Sequence, residues 1–526
     1  MAFLKWDPNT CGGQYLEDLS TAYWYSETLF TALEMGLFEL LETGDKTLSD
    51  LSENLNCDAS SLGRYLHLLK TLDLVDCFKD SWYNTTLSST YLIPGKPLYQ
   101  GNSILWRKEI TSDWKTLNEA LSAGRRVHFL PEGTSEKMLN ERREEYITAM
   151  DNIIKLKIPE ILTFFGHGLK VNAQILDVGA GSGAFALGFI QTFPDSFATM
   201  IDIRQVLPHT KKIVDQTAQK QMTKPTDSFI PHITFHDKNI LEPDWALDHS
   251  YDLIILSNIV HAYSETEISA IFKTVTQNLS DDGIIIIHDF FLDHWDIKAA
   301  FSDINMFINT YNGKVFDSRW VNSELKKNNL CTTALIPLST DTAVIFASKQ
   351  ASALDNLTIN SVQKIKQPIK NIGFDQVIDF DPKDVVVADF AKNKCKFGCS
   401  SWNKKHCSVN GEMDCEETQS LLNTYTKALL LKSEPPTNEF QRKALRAETL
   451  AFKAGYYKAF VFWAGPCSIC PDCDLNEPCQ NHKHSRPSME GSGIDVFATV
   501  ANAGETLKTL SERDEVIKYY ALLLLE

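Results

Sequence analysis

Gln174-Ile-Leu-Asp-Val-Gly-Ala-Gly-Ser-Gly-Ala-Phe-Ala186 joins an apolar run to a glycine cluster and then to the start of a helical pattern. Gly179, Gly181 and Gly183 let the backbone bend tightly and approach a ligand where a Cβ would collide. The helix that follows offers free N–H groups at its first turn. Strand, turn and helix in that order open a βαβ unit, and the sequence continues in kind. The runs Phe197-Ala-Thr-Met-Ile, His232-Ile-Thr-Phe, Asp252-Leu-Ile-Ile-Leu and Gly283-Ile-Ile-Ile-Ile alternate with helical stretches. This alternation predicts an α/β unit with a mostly parallel sheet covered on both faces. Two further runs, Cys331 to Pro337 and Thr342 to Ala347, have no helix between them and predict an antiparallel hairpin at the sheet edge.

Two carboxylates add chemistry to the turn. Asp202 ends the second strand, 25 residues after Asp177, where it can accept both hydroxyls of an adenosine ribose. Asp237 follows the third strand at the same sheet edge and suits an adenine amino group. The glycine spacing is G-x-G-x-G, which departs from the G-x-G-x-x-G of dinucleotide sites. Asp177-Val-Gly-Ala-Gly-Ser-Gly resembles the S-adenosylmethionine loop of Rossmann-like methyltransferases. The expected cofactor contacts are Asp177, Gly179, Gly181, Gly183, Asp202, Asp237 and Ser257.

Ahead of this unit, the apolar residues of Tyr23 to Leu41 recur at helical steps. Thr47-Leu-Ser-Asp-Leu opens a short helix, and Asp58-Ala-Ser-Ser-Leu caps a longer one through Leu72. Leu74 to Thr86 follows as a hairpin. The order is that of a helical winged-helix domain, residues 1–100, whose reading as a dimerisation module competes with DNA binding. Residues 1 to 120 hold 9 basic and 17 acidic residues, whereas a groove reader needs a basic stripe. The whole chain, at −17 over 526 residues, likewise repels phosphate backbones and anionic lipid heads. Neither nucleic acid nor membrane is expected as a partner. Without an apolar run of spanning length or a secretion-type start, the expected location is cytoplasmic. Residues 101–170 read as a helical lead-in with aromatics of a core or pocket wall.

With the loop joined to the segment downstream, residues 15 to about 348 resemble the plant-type and bacterial small-molecule O-methyltransferase family. The resemblance implies that the front domain makes a homodimer, that 101–349 transfers a methyl group, and that the acceptor is a small molecule. The family's general base is a histidine after the fourth strand, matched here by His261 in Ser257-Asn-Ile-Val-His-Ala-Tyr. An imidazole near neutral pKa can take a hydroxyl proton as the oxygen attacks the sulfonium methyl. The family orients that base with an acid 28 residues later, where Asp289 stands. Asp303 and Met306 match the family's acceptor-pocket helix. The sequence departs from the family at Ala262 and Val315, each replacing an acid. A thiolate acceptor, already a strong nucleophile, would tolerate that loss.

Residues 350–374 are polar, contain Pro368 and show no sustained period, so they read as a linker. Beyond it, residues 375–526 hold eight of the twelve cysteines. Cys395, Cys399, Cys407 and Cys415 form one group, and Cys467, Cys470, Cys473 and Cys479 the other, flanking a helical middle of roughly 416–431 and 439–455. Clustered thiols in an unexported chain point to metal more than to disulfides. C-x2-C-x2-C delivers three thiolates from a tight loop, as in iron–sulfur sites, while two sets of four would equally suit zinc. His406, His482 and His484 are spare donors. The stretch from Asp375 to Ala503 resembles an uncharacterised family of predicted metal-binding proteins, implying an α+β metal domain and naming no reaction. The chain therefore reads as an S-adenosylmethionine-dependent methyltransferase of a hydroxyl or thiol, carrying an iron–sulfur or zinc domain. The competing reading is a metal-cluster redox or electron-transfer protein whose front serves as a dimerisation or cofactor-sensing platform.

Overall fold

The computed structural model describes residues 11–221, 232–359, 363–402, 404, 407, 413–470, 479, 481–507 and 518–526. It divides into two compact units, Met1–Thr358 and Ile359–Glu526.

The first unit opens with helices Gly12–Ser20, Tyr23–Glu34 and Leu37–Glu42. The single helix expected over Tyr23 to Leu41 is thus two, because Gly36 adopts φ +68° and turns the chain before Leu37. The apolar spacing carries on across that break, so periodicity alone conceals it. Strand β1 (Lys46–Thr47) leads into helix Leu48–Leu55, where Thr47 and Asp50 cap each other reciprocally. Asp58 caps helix Ala59–Thr71 by accepting from the Ser61 N–H at 2.8 Å. β2 (Val75–Phe78) and β3 (Ser81–Asn84) pair antiparallel, and β1 adds to β3. Leu37, Leu51, Leu66, Leu69 and Trp82 share one core under these elements.

Helices Gly101–Glu109 and Glu136–Lys155 lead into the large sheet. Its strands are β4 (Gln174–Val178), β5 (Phe197–Asp202), β6 (Ile233–Asp237), β7 (Tyr251–Ser257), β8 (Leu279–Asp289), β9 (Cys331–Thr332), β10 (Ile336–Pro337) and β11 (Ala343–Ser348). The order is β10-β11-β8-β7-β4-β5-β6, with β9 also on β11. β6 through β8 run parallel, and β11 closes the edge antiparallel to β8. The hairpin expected at the edge is present, with β9 and β10 as its outer pieces. Every residue of β11 is buried, as expected for a strand covered on both faces. The chain moves outward from β4 to β6 and then returns to the other side of β4 as β7. That reversal places a crevice at the carboxyl ends of β4 and β7, where ligands of doubly wound sheets bind.

In the second unit β12 (Gln376–Phe380), β13 (Ala428–Ser433), β14 (Phe460–Phe462) and β15 (Tyr519–Leu524) form an antiparallel sheet in the order β12-β13-β15-β14. Leu429 and Leu431 pack with Phe440 and Ala444 of helix Thr437–Lys453 on one face. Leu430 and Leu522 pack with Leu422 and Val500 on the other. Residues 428–431, expected in a helix, are therefore a strand, since a run buried on both sides carries no period to distinguish the two. The stretch read as linker contains helices Ala351–Asp355 and Gln363–Asn371, and Ile365 and Ile369 lie in the second unit's core. Among the described residues no helix is long and apolar enough to cross a membrane.

Candidate cofactor and catalytic site

The glycine turn sits where β4 meets the crevice. Gly179, Gly181 and Gly183 all have positive φ, at +65°, +54° and +73°. A Cβ on Gly179 would fall 2.5 Å from Ile259 Cδ1, whereas one on Gly181 would find nothing nearer than 3.9 Å. Gly183 caps helix Ala184–Thr192 from the left-handed region. The Gly179 and Ala180 N–H groups both donate to the Ile201 carbonyl, tying the turn to β5. Asp177 is buried and accepts from the Ala186 N–H at 3.2 Å. Burial pushes its carboxyl up to about 7, and the nearby Asp202 charge adds to this.

Asp202 ends β5 as expected, and its two oxygens accept from the Gly181 and Ile203 N–H groups, each at 2.8 Å. Burial raises its pKa. Each carboxylate oxygen keeps a further lone pair for a ligand hydroxyl. Asp237 lies directly across from Asp202 in the β5–β6 register and is exposed. Ser257 ends β7 with its Oγ 2.9 Å from His288 Nδ1. The residues of the crevice fit an adenosyl cofactor: a turn with room at Gly181, followed by two carboxylates side by side.

His261 follows β7 in a single turn of 3-10 helix and is buried. Its Nδ1 bonds the Asp289 carboxylate in a short contact, and its backbone N–H donates to the same group at 3.2 Å. The Phe290 N–H donates to Asp289 as well, at 2.7 Å. Asp289 is thereby fixed from three directions, which assigns the His261 proton to Nδ1 and leaves the Nε2 lone pair without a partner among the described residues. A Cβ at Gly313 would fall 2.6 Å from the His261 carbonyl oxygen, so the Asn312-Gly313-Lys314 turn packs directly on the histidine backbone.

Asp303 and Met306 lie on helix Asp296–Asn309. Asp303 accepts from the Val315 N–H at 2.8 Å, so its carboxylate holds the turn that the family's missing acid would otherwise occupy. Asn305 on this helix accepts from Trp114 Nε1 at 3.2 Å. Tyr263 lies two residues past His261 in sequence. Burial raises its pKa, and the Asp202 and Glu267 charges add to this.

The cysteines of the second unit are only partly brought together. Burial pushes the Cys395 thiol up to about 11, and Glu490, Cys399 and Cys407 add to that. Burial also raises Cys467, with Cys470 and Cys479 among the groups acting on it. Cys415 opens helix Cys415–Leu422, beside Asp389 and Lys392 and against Gly493. Among the described residues no three histidine, cysteine, aspartate or glutamate side chains converge as a metal site. Cys473 and His406 lie outside the described residues. The donor set, soft sulfur in two groups, fits a thiophilic metal by its chemistry.

Three family models match the chain: an O-methyltransferase dimerisation domain at residues 17–94, an O-methyltransferase domain at 114–322, and a predicted metal-binding protein family, DUF2284, at 378–525. The chain is 25% identical over 303 residues to 3-hydroxy-5-methyl-1-naphthoate 3-O-methyltransferase of Streptomyces sahachiroi, covering 56% of this chain and 83% of that one. It is 26% identical over 316 residues to bovine (Bos taurus) acetylserotonin O-methyltransferase, covering 57% and 87%. The fold is shared with human N-acetylserotonin methyltransferase in complex with SAM, at TM-score 0.55 and 20% identity over 66% of this chain and 99% of that one. The chain thus carries an O-methyltransferase dimerisation domain and an S-adenosylmethionine-dependent O-methyltransferase domain, followed by a domain that matches the predicted metal-binding family.

Proposed function

We propose that the enzyme methylates a hydroxyl of a small molecule, with His261 as general base and Asp289 as the group that orients it. The supporting observation is the buried His261–Asp289 pair beside the carboxyl end of β7. With Nδ1 bound to the carboxylate, Nε2 is the basic atom, and Asp289 stabilises the imidazolium once it takes the acceptor's proton. S-adenosylmethionine, when bound, supplies an electrophilic methyl on a sulfonium. Asp202 and Asp237 hold its ribose and adenine ends, the glycine turn admits it, and Ser257 contacts it from the other side of the crevice. Holding acceptor oxygen and methyl in line accounts for much of the rate. Asp303 and Met306 line the acceptor pocket. His261→Ala is expected to lower the methylation rate of a hydroxyl acceptor by about 100-fold or more while leaving cofactor affinity unchanged. An undiminished rate in that variant would exclude His261 as the base and favour a thiolate acceptor.

The molecule acts as a homodimer through its winged-helix-like front. Leu16, Tyr23 and Trp24 are 63%, 61% and 58% exposed on the first two helices, a cluster of apolar side chains suited to a second copy. In the second unit, Cys467, Cys470, Cys473 and Cys479, with Cys395, Cys399 and Cys407, hold an iron–sulfur cluster, or zinc in the alternative. Cys415 falls outside that set. The expected compartment is the cytoplasm, where thiols stay reduced.

A further inference from the structure

Three buried polar residues that the catalytic reading leaves unused form a continuous line to Ser257. Lys157, at the start of helix Ile158–Thr163, is 3% exposed; Thr342, entering β11, is 1% exposed; His288, on β8, is fully buried. Lys157 Nζ lies 2.6 Å from Asp341 Oδ1, 3.2 Å from Thr340 Oγ1 and 3.1 Å from Thr342 Oγ1. Thr342 Oγ1 lies 2.8 Å from His288 Nε2, and His288 Nδ1 lies 2.9 Å from Ser257 Oγ. Polar groups this deeply buried are costly unless each is satisfied, and here each is.

The line has a direction. An ammonium has three donors and no acceptor, and Lys157 faces three acceptors. Burial lowers the Lys157 pKa, and the Asp341 charge beside it opposes that effect. Thr342 Oγ1 accepts from Lys157 and has one proton of its own to place. Its choices are His288 Nε2 at 2.8 Å and Thr340 Oγ1 at 3.4 Å, and the shorter contact is the better bond. Burial, and then the Lys157 charge, hold His288 well below the ordinary histidine range, so the ring is neutral and has a single N–H. With Nε2 accepting, that proton sits on Nδ1 and is donated to Ser257 Oγ. The serine oxygen therefore accepts, and its O–H is left to donate, with no other partner for it among the described residues.

We propose that Lys157, acting through Thr342 and His288, positions Ser257 as a one-way hydrogen-bond donor to an oxygen of the bound cofactor. Ser257 is the last residue of β7, the strand paired with β4, at the carboxyl end where the proposed cofactor crevice lies. The ammonium and sulfonium of S-adenosylmethionine cannot accept a hydrogen bond, and its adenine nitrogens belong to the end read at Asp237 on β6, two strands beyond β4 from β7, which leaves its carboxylate and ribose oxygens as the recognised chemistry. Bonds in such a chain polarise one another, so the last donor is stronger than an isolated serine. The proposal rests on the reading of Ser257 as a cofactor contact, and two measurements on the full-length protein separate the two.

Nitrogen-15 NMR of histidine-labelled protein, with His288 assigned from its loss in His288→Gln, reads the tautomer without any cofactor. An Nδ1–H ring is expected, and an Nε2–H ring overturns the direction of the chain. Calorimetric titration with S-adenosylmethionine then tests the consequence. Ser257→Ala and Thr342→Val are each expected to weaken binding about tenfold, and the double variant no further. Thr342→Ser, which keeps the hydroxyl, restores wild-type affinity. Wild-type affinity in Thr342→Val, or additive losses in the double variant, overturns the proposal. An Nδ1–H ring together with wild-type affinity in Ser257→Ala removes the cofactor contact at Ser257 and the proposal with it, while leaving the chain itself in place.

Discussion

Asp177 carries a cost that a purely structural strand end would not. Its carboxyl is pushed up to about 7 by burial, from an ordinary value of 3.8. Between those values the folded protein keeps a proton that the unfolded chain releases, so this group lowers stability as pH rises and adds no further slope above about 7. Asp177→Asn, which cannot ionise, is expected to gain stability relative to wild type as pH rises from about 4 to about 7 and to hold that advantage above it. Thermal unfolding across the range checks this, and a pH-independent difference between the two proteins would contradict the buried-carboxyl account. At this scale the sequence shows which residues carry chemistry but seldom what they touch. His261 and Asp289 could be paired because the family resemblance supplied their spacing. The contacts of Ser257 with His288, and of His288 with Thr342, link β7, β8 and the entry to β11, and nothing in the local sequence announces them.

At the scale of elements, the glycine turn separates two kinds of glycine requirement. Gly179 needs both its positive φ and its missing Cβ, because Ile259 fills the space beside it. Gly181 needs only the backbone freedom, with open space around it. Gly181→Ala is expected to cost about 1 to 2 kcal/mol from the left-handed conformation alone, and Gly179→Ala clearly more, measured by denaturant unfolding without cofactor. Equal costs would contradict the packing of Ile259 against the turn. The strands of the large sheet were readable from short apolar runs because flanking helices punctuated them. Two elements were not. Gly36 interrupts an apolar spacing that continues past it, and residues 428–431 are four apolar positions buried on both faces, a pattern that a helix and a strand share. Cysteine spacing, likewise, defined two groups of four without showing that Cys415 begins a helix.

For the whole molecule, the two units have separate cores: in the first, one around the parallel sheet and one within the helical front, and in the second, one on each face of the antiparallel sheet. Metal and acid-labile sulfide analysis of protein purified without oxygen is expected to find iron and sulfide with a broad visible absorption; colourless protein containing zinc would replace the iron–sulfur assignment. Methyl transfer by this chain requires that the crevice at β4 and β7 hold the cofactor. Calorimetric titration of the full-length chain with S-adenosylmethionine tests this most directly. One site per chain, filled at micromolar concentration and lost in Asp202→Ala, is the result predicted; no binding, or binding indifferent to Asp202→Ala, would contradict it.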